Sequence, residues 1–135
     1  MEKTFVFLKP DAVKRKLIGE IISRIEKKDY EITNMKMCNI DRDLAILHYE
    51  HVKDEPFFED MIEYITSGPV VMMIIQGEKV IETIRTMVGV TSSFDSLPGT
   101  IRGDLGSKRY RNLIHASDCS KSFEREIERF FPELK

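Results

Sequence analysis

Apolar and polar positions along the chain alternate between the spacing of strands and the spacing of helices. Short runs rich in Phe, Val, Ile and Met predict four strands, over residues 4–8, 30–38, 70–76 and 111–115. The second strand has a break in its alternation at Asn34 and Met35, whereas the third is apolar at successive positions. Because a strand that is apolar on both faces is buried on both, residues 70–76 are predicted to be a central strand.

Between these runs, apolar residues recur every three or four positions, which is the spacing of one helical face. Helices are therefore predicted after Pro10, over residues 17–27, from a cap at Asp41 to about Val52, after Pro56, over residues 78–88, and from Asp118 or Ser120 to Phe131. Residues 89–108 show neither spacing and contain four of the seven glycines, which predicts a functional loop. This order of elements indicates an α+β fold with a small sheet covered by helices.

The composition fits one globular domain over residues 1–135. The chain is 41% hydrophobic and 33% charged, which supplies one apolar core and excludes a disordered protein. Its longest apolar run, residues 70–75, is far shorter than the roughly 18 residues of a membrane span, and the N-terminus has no signal-peptide core. Cys38 and Cys119 form no CxxC motif. We therefore expect a cytoplasmic protein with free thiols and no membrane partner.

Charge is distributed unevenly. The net charge is −2 and the isoelectric point is about 6.0, which argues against a strongly basic nucleic-acid-binding protein. Residues 85–111, however, contain five basic and two acidic residues, a local charge of +3 that leaves −5 for the remainder. A glycine-rich, positive segment suits a polyanionic ligand, and residues 98–104 are interpreted as a rigid turn that presents the guanidinium of Arg102. An ordinary solvated loop is the alternative interpretation.

The segment 112–118 places His115 at a strand end, just before a helix N-terminus. Backbone N–H groups gather there and suit an anion, and a neutral imidazole can attack phosphorus and carry a phosphoryl group. Glu126 lies at the margin of the last helix's apolar stripe, from which its carboxylate can orient the imidazole. Two alternatives remain: His115 as an ordinary histidine beside a capping Asp118, and Glu126 as a surface partner of nearby arginines.

Two further patterns are weaker. His48 and His51 are three residues apart on a predicted helix, but no zincin motif surrounds them, and a surface pair is the simpler interpretation. The sequence contains neither GxxxxGK[ST] nor GxGxxG, so any phosphate site is neither a P-loop nor a Rossmann site.

Four segments of the chain closely resemble signature segments of nucleoside diphosphate kinases. They are residues 7–13, 64–71, 98–104 and 112–118, and the last resembles the active-site signature. The segments occur in the family's order and spacing across nearly the whole chain. The resemblance implies a ferredoxin-like α+β fold, in which an antiparallel four-stranded sheet is covered by helices.

The resemblance also implies the reaction and its catalytic residues. The terminal phosphate of a nucleoside triphosphate passes to a nucleoside diphosphate by a ping-pong mechanism, which maintains the nucleoside triphosphate pools. His115 is phosphorylated on Nδ1, and Glu126 and Ser117 orient and support it. Lys9 and Tyr49 are expected beside the γ-phosphate.

Nucleotide contacts follow from the same resemblance. Arg85, Thr91 and Arg102 match phosphate-binding positions, Asn112 with Lys9 matches those that hold the sugar hydroxyls, and Phe57 matches the aromatic residue on which the base stacks. Mg²⁺ arrives with the nucleotide, with Asp118 near it through water. Because every base offers a π face, broad base specificity is expected. Residues 105–108 are unlike the family, so no contact is transferred to them.

A homo-oligomer is implied as well, either a tetramer or a hexamer.

Two other functions share parts of the pattern. An RNA-recognition module has a ferredoxin-like layout, but it needs aromatic-rich strands and a basic sheet face, and residues 111–115 contain no aromatic residue. An acylphosphatase-like hydrolase needs an N-terminal phosphate loop with an arginine and no covalent histidine. No dedicated nucleic-acid site is therefore expected.

Overall fold

The computed structural model describes residues 1–134. Four strands form one antiparallel sheet in the order β2-β3-β1-β4: β1 (Glu2–Leu8), β2 (Glu31–Cys38), β3 (Val70–Gly77) and β4 (Ile114–Ala116). In this described part of the chain, seven α-helices surround the sheet: α1 (Pro10–Lys14), α2 (Ile18–Lys27), α3 (Arg42–His48), α4 (Phe58–Ile65), α5 (Val80–Val88), α6 (Ile101–Leu105) and α7 (Ser120–Phe130). Short 3₁₀ turns occupy Glu50–Val52 and Pro132–Leu134. The predicted α+β fold with a four-stranded antiparallel sheet is confirmed.

Strand β3 is central, as its continuous apolar run predicted. It pairs with β1 on one side and β2 on the other, and seven of its eight residues are buried. Alternate residues of neighbouring β1 enter two separate cores. Val6 and Leu8 pack with helices α2 and α5, whereas Phe5 and Phe7 pack with α4 and α7. Helices therefore cover both faces of the sheet.

Strand β2 has the irregularity that its sequence predicted. Its pairing with β3 shifts between Ile32 and Asn34, one to two residues before the expected break, which is a β-bulge. Exposed and half-buried residues alternate along the whole strand. Met35 and Met37 occupy exposed positions of this edge strand, and each is more than half exposed.

Strand β4 begins at Ile114, three residues later than predicted. The cause is a γ-turn: Leu113 has a φ of 75°, and the N–H of Ile114 donates to the carbonyl of Asn112 across 2.9 Å. Leucine rarely adopts a positive φ, so this turn stores local strain immediately before His115.

The long loop contains a helix that the sequence analysis did not predict. Helix α6 begins after Thr100, whose hydroxyl accepts a hydrogen bond from the N–H of Gly103. The helix predicted from Asp41 to Val52 is shorter, because α3 ends at His48 and a 3₁₀ turn follows. None of the helices within residues 1–134 combines the length and the apolarity that crossing a membrane demands.

Candidate active site

His115 lies in the middle of β4, next to β1 and on the side of the sheet where Phe5 and Phe7 form a core. It pairs with Phe7 in the sheet register, and its ring meets the Phe7 ring edge-on at 5.0 Å between centroids. The imidazole of His48 lies 4.7 Å away on another side, also nearly perpendicular. The side chain of His115 is 20% exposed, so rigid neighbours fix the ring while one edge stays open.

Glu126 reaches His115 from α7, as the helical pattern predicted. Its Oε2 lies 2.6 Å from Nε2 of His115, and its Oε1 accepts a 2.6 Å hydrogen bond from the hydroxyl of Ser117. Ser117 is fully buried, and the carbonyl and N–H of Phe5 lie 3.2 Å from its hydroxyl. Glu126 is therefore a buried carboxylate with a partner on each oxygen, and the surface-partner alternative is wrong.

The second ring nitrogen of His115, Nδ1, has no hydrogen-bond partner within residues 1–134. The histidine borders a cavity of about 690 Å³. Of the residues predicted for the site, those that line this cavity are Lys9, Tyr49, Arg85, Thr91, Arg102, Asn112, His115, Asp118 and Glu126. Six basic and three acidic residues contribute to the wall, so the cavity suits an anion.

Lys9 enters the cavity at the end of β1, where Pro10 begins α1. Its ammonium donates across 2.7 Å to Oδ1 of Asn112, and the amide of Asn112 donates across 2.6 Å to the carbonyl of Thr91. Burial, followed by the charge of Arg102, lowers the pKa of the Lys9 side chain to about 7. A bound polyanion would favour the protonated form of this amine.

Arg102 is carried by a helix and not by a rigid turn, which corrects the interpretation of residues 98–104. It lies on α6 and is 9% exposed. Its guanidinium donates to four backbone carbonyls, those of Gly89, Val90, Asn112 and Ile114, at 2.5–3.3 Å. Burial lowers its pKa to about 10, so the group stays protonated near pH 7. Arg102 thus joins the loop after α5 to the start of β4 while lining the cavity.

Arg85 lies on α5 and occupies a more open part of the wall. Its guanidinium contacts the carboxylate of Asp118 at 2.6 Å and donates to the carbonyl of Ala116 at 3.3 Å. The Arg85 and Asp118 side chains are 49% and 73% exposed. Ligand phosphates can therefore reach this pair without a rearrangement of the fold.

Tyr49 follows α3 and packs its ring edge-on against His48 at 4.7 Å between centroids. Burial of its hydroxyl, together with the charge of Glu126, raises the pKa of Tyr49 above its ordinary value. Phe57 does not line the cavity, and neither does the buried Ser117. The Phe57 side chain lies at the edge of the site. Its ring is stacked on Tyr110, which does line the cavity.

His48 and Arg129 line the cavity as well, although neither was predicted from the sequence as a residue of the site. His48 is only 9% exposed and contacts His115, so its interpretation as half of a surface pair is wrong, whereas His51 is exposed. Arg129 donates across 3.3 Å to Nδ1 of His48. Burial is the main cause that lowers the pKa of His48 to about 2, so the ring is neutral near pH 7. The three-residue spacing from buried Ala45 was the available signal.

One group of side chains within residues 1–134 has the donors of a metal site. His48, His115 and Glu126 each offer one ligand atom, all within 4.8 Å of one another. Two imidazoles and a carboxylate suit zinc, whereas Mg²⁺ prefers oxygen ligands. The carboxylate of Asp118, which pairs with Arg85 in the more open part of the cavity wall, is such an oxygen donor.

Comparisons with known proteins agree with this geometry. The family model described as nucleoside diphosphate kinase matches residues 2–135. A nucleoside diphosphate kinase of Acetivibrio thermocellus is 67% identical over 99% of this chain and 98% of its own length. One of Archaeoglobus fulgidus is 50% identical over 98% of this chain and 88% of its own length.

A solved structure agrees as well. It is a halophilic nucleoside diphosphate kinase from Halobacterium salinarum in complex with CDP, which superposes with a TM-score of 0.93. It is 45% identical and covers 96% of this chain and 87% of its own. With a full-length family match and close relatives under one name, this chain belongs to the nucleoside diphosphate kinase family.

Proposed function

We propose that this kinase transfers the terminal phosphate of a nucleoside triphosphate to a nucleoside diphosphate through a phosphohistidine on Nδ1 of His115. One observation carries the proposal: Glu126 occupies Nε2 of His115, whereas Nδ1, which has no hydrogen-bond partner among residues 1–134, lies beside a positively lined cavity. A hydrogen bond from Nε2–H to the carboxylate selects the tautomer in which Nδ1 holds the lone pair.

In the first half-reaction, the Nδ1 lone pair forms a bond to the γ-phosphorus, and the bond from that phosphorus to the β–γ bridging oxygen breaks. The nucleoside diphosphate leaves with this electron pair, and the imidazole ring gains positive charge. The buried carboxylate of Glu126 stabilises that charge at 2.6 Å. Ser117 supports this step by holding the second carboxylate oxygen.

In the second half-reaction, a β-phosphate oxygen of another nucleoside diphosphate attacks the phosphorus and the N–P bond breaks. The electron pair returns to Nδ1, so His115 is regenerated without net proton transfer. Donor and acceptor bind in turn, and one cavity therefore serves both substrates. Repeated transfer of phosphate from one nucleoside triphosphate to other nucleoside diphosphates would maintain the nucleoside triphosphate pools.

Charge neutralisation is expected to supply most of the rate enhancement, because phosphoryl transfer has a loose transition state. Lys9, Arg85 and Arg102 line the cavity with His115 and are proposed to contact the phosphates, with Thr91 and Tyr49 beside them. Mg²⁺ belongs to the substrate as its phosphate complex. The exposed carboxylate of Asp118 suits an ion that keeps most of its waters.

Asn112 and Lys9 are proposed to bind the sugar hydroxyls, since their side chains already form a fixed polar pair. Phe57 is proposed to stack on the base, with broad specificity as the consequence. The CDP complex of the halobacterial relative supports a site that accepts a pyrimidine. With one donor, kcat/KM values for ADP, GDP, CDP and UDP should lie within about tenfold of one another; a preference of several orders of magnitude would contradict the proposal.

We also propose that residues 1–135 act as one cytoplasmic domain in a homo-oligomer. The free thiols of Cys38 and Cys119 suit a reducing compartment. The exposed methionines of edge strand β2, Met35 and Met37, are apolar surface that a second copy would bury. Sedimentation equilibrium distinguishes a tetramer from a hexamer, and a monomer would contradict this proposal.

The mechanism is tested by incubating the protein with γ-labelled ATP and Mg²⁺. Wild type should take up label that is lost in acid and kept in alkali, and should pass it to GDP. His115→Ala should take up none, while Ser120→Ala, an exposed hydroxyl at the start of α7, should behave as wild type. Double-reciprocal plots at several GDP concentrations should be parallel. Label on His115→Ala, or intersecting plots, would contradict the phosphohistidine.

A further inference from the structure

Tyr110 forms an aromatic pair with Phe57 at the edge of the cavity. The ring centroids are 4.8 Å apart and the ring planes differ by 14°, so the rings are stacked. Tyr110 contributes to the cavity wall and Phe57 does not. The face on which the family resemblance would stack a base is therefore covered by a second aromatic side chain of this chain itself.

The segment that carries Tyr110 is fixed at both ends and free in the middle. The N–H of Gly106 donates to the carbonyl of Arg102 at 2.9 Å. After Tyr110, the guanidinium of Arg111 lies over the ring of Tyr64 at 5.2 Å, and Asn112 is held by Lys9. Within the described chain, residues 107–110 are exposed and make no backbone hydrogen bond.

Tyr110 itself has few restraints. It is 43% exposed, and its hydroxyl has no hydrogen-bond partner within residues 1–134, so the contact with Phe57 is its main attachment. A base between the two rings needs a separation of roughly 7 Å, twice the van der Waals distance of about 3.5 Å. Opening the pair from 4.8 Å to this separation can be achieved by rearranging residues 107–110, which make no backbone hydrogen bond within residues 1–134.

We propose that Tyr110 is the second wall of the nucleobase site. In the free protein its ring stacks on Phe57, and in the nucleotide complex the base lies between the two rings. The exchange is favourable because one ring–ring contact is replaced by two base–ring contacts, and base–aromatic stacking is at least as strong as the stacking of two side chains. This inference rests on the proposed function and assigns a base contact to a residue outside the four segments that carry the family resemblance.

The test compares Tyr110→Ala with Tyr110→Phe, and uses Ser107→Ala as a control in the same exposed segment. Tyr110→Ala should raise KM for all four nucleoside diphosphates by about tenfold, within the range for base stacking, with kcat at saturation unchanged. Tyr110→Phe and Ser107→Ala should keep the wild-type KM. An unchanged KM for Tyr110→Ala would overturn the proposal, and so would a lower one, because a ring that merely covered Phe57 would compete with the base.

A donor without a base separates stacking from any effect on the phosphate site. Labelling of His115 by ATP is compared with labelling by ribose 5-triphosphate. The advantage of ATP should shrink by the same factor of about ten in Tyr110→Ala and stay constant in Tyr110→Phe. Equal losses with both donors would overturn the base contact. Failure of wild type to take up label from ATP would instead contradict the phosphohistidine mechanism, so the two failures are distinguishable.

Discussion

Nε2 of His115 and Oε2 of Glu126 lie 2.6 Å apart, although one atom belongs to strand β4 and the other to helix α7. The carboxylate is buried, and its second oxygen is held by the Ser117 hydroxyl. A buried carboxylate with fixed partners cannot turn away when charge develops on the ring. The same contact therefore fixes the orientation of the His115 imidazole and stabilises positive charge on its ring.

Glu126→Gln tests the charge separately from the shape. The amide oxygen can still accept from Nε2 of His115, and the amide nitrogen can donate to the Ser117 hydroxyl, so the fold should be retained. Without the negative charge, kcat should fall by about 10- to 100-fold, the range seen when a partner that orients a histidine is removed. Single-turnover labelling of His115 by ATP measures this effect. A normal labelling rate would mean that Glu126 only positions the ring.

The lowered pKa of Lys9 predicts that the protein takes up a proton when a nucleotide binds. With a pKa of about 7, the Lys9 amine is mostly neutral at pH 8 in the free protein, and bound phosphates raise this pKa because they favour the ammonium form. Wild type should therefore take up close to one proton per MgADP at pH 8. Calorimetry in buffers of different ionisation enthalpy measures the uptake.

The control for this prediction is Lys9→Arg, whose side chain is already protonated and should take up almost none. If wild type and Lys9→Arg show the same dependence on buffer, Lys9 does not titrate on binding and its amine is not in contact with the phosphates.

Arg85 and Arg102 should differ in their effect on stability although both are proposed to bind phosphate. The buried guanidinium of Arg102 satisfies four carbonyls, so Arg102→Met should lower the free energy of unfolding by about 3 kcal/mol. The half-exposed Arg85 pairs with exposed Asp118, and Arg85→Met should cost less than about 1 kcal/mol. Urea unfolding measures both values, and equal losses would contradict this division of roles. In both variants kcat/KM should fall.

The sequence predicted the features that depend on periodicity. The continuous apolar run of β3 predicted its central place, and the helical stripe of α7 placed Glu126 where it reaches His115. Both predictions succeed because a two- or three-to-four-residue repeat fixes which face of an element is buried. The positions of Lys9 and Arg102 at the cavity came instead from the family resemblance.

Other features have no periodic signal. Helix α6 has five residues with Gly103 in its middle, too short for a helical repeat and against the usual preference, although Thr100 did provide a capping residue. The positive φ of Leu113 is imposed by its surroundings, since leucine does not favour it. The stack of Phe57 on Tyr110 joins two distant segments and follows only from the folded structure.

The lowered pKa of His48 predicts that the folded protein loses stability in acid. The pKa of this side chain is about 2 in the folded protein, where burial keeps it neutral, and about 6.5 in an unfolded chain. Below pH 6.5 the unfolded state binds a proton that the folded state does not, so acidification favours unfolding. Between pH 7 and pH 5 this one group should lower the free energy of unfolding by about 2 kcal/mol.

His48→Gln removes the titrating ring and keeps an acceptor for Arg129, so its stability should fall less between pH 7 and pH 5 than that of wild type, by about 2 kcal/mol. His51→Gln is the matched control: because His51 is exposed, this variant should follow the wild-type dependence. Urea unfolding at pH 7, 6 and 5 gives the three curves. If His48→Gln loses as much stability as wild type, His48 must accept a proton in the folded protein, and its neutral contact with His115 would not persist in acid.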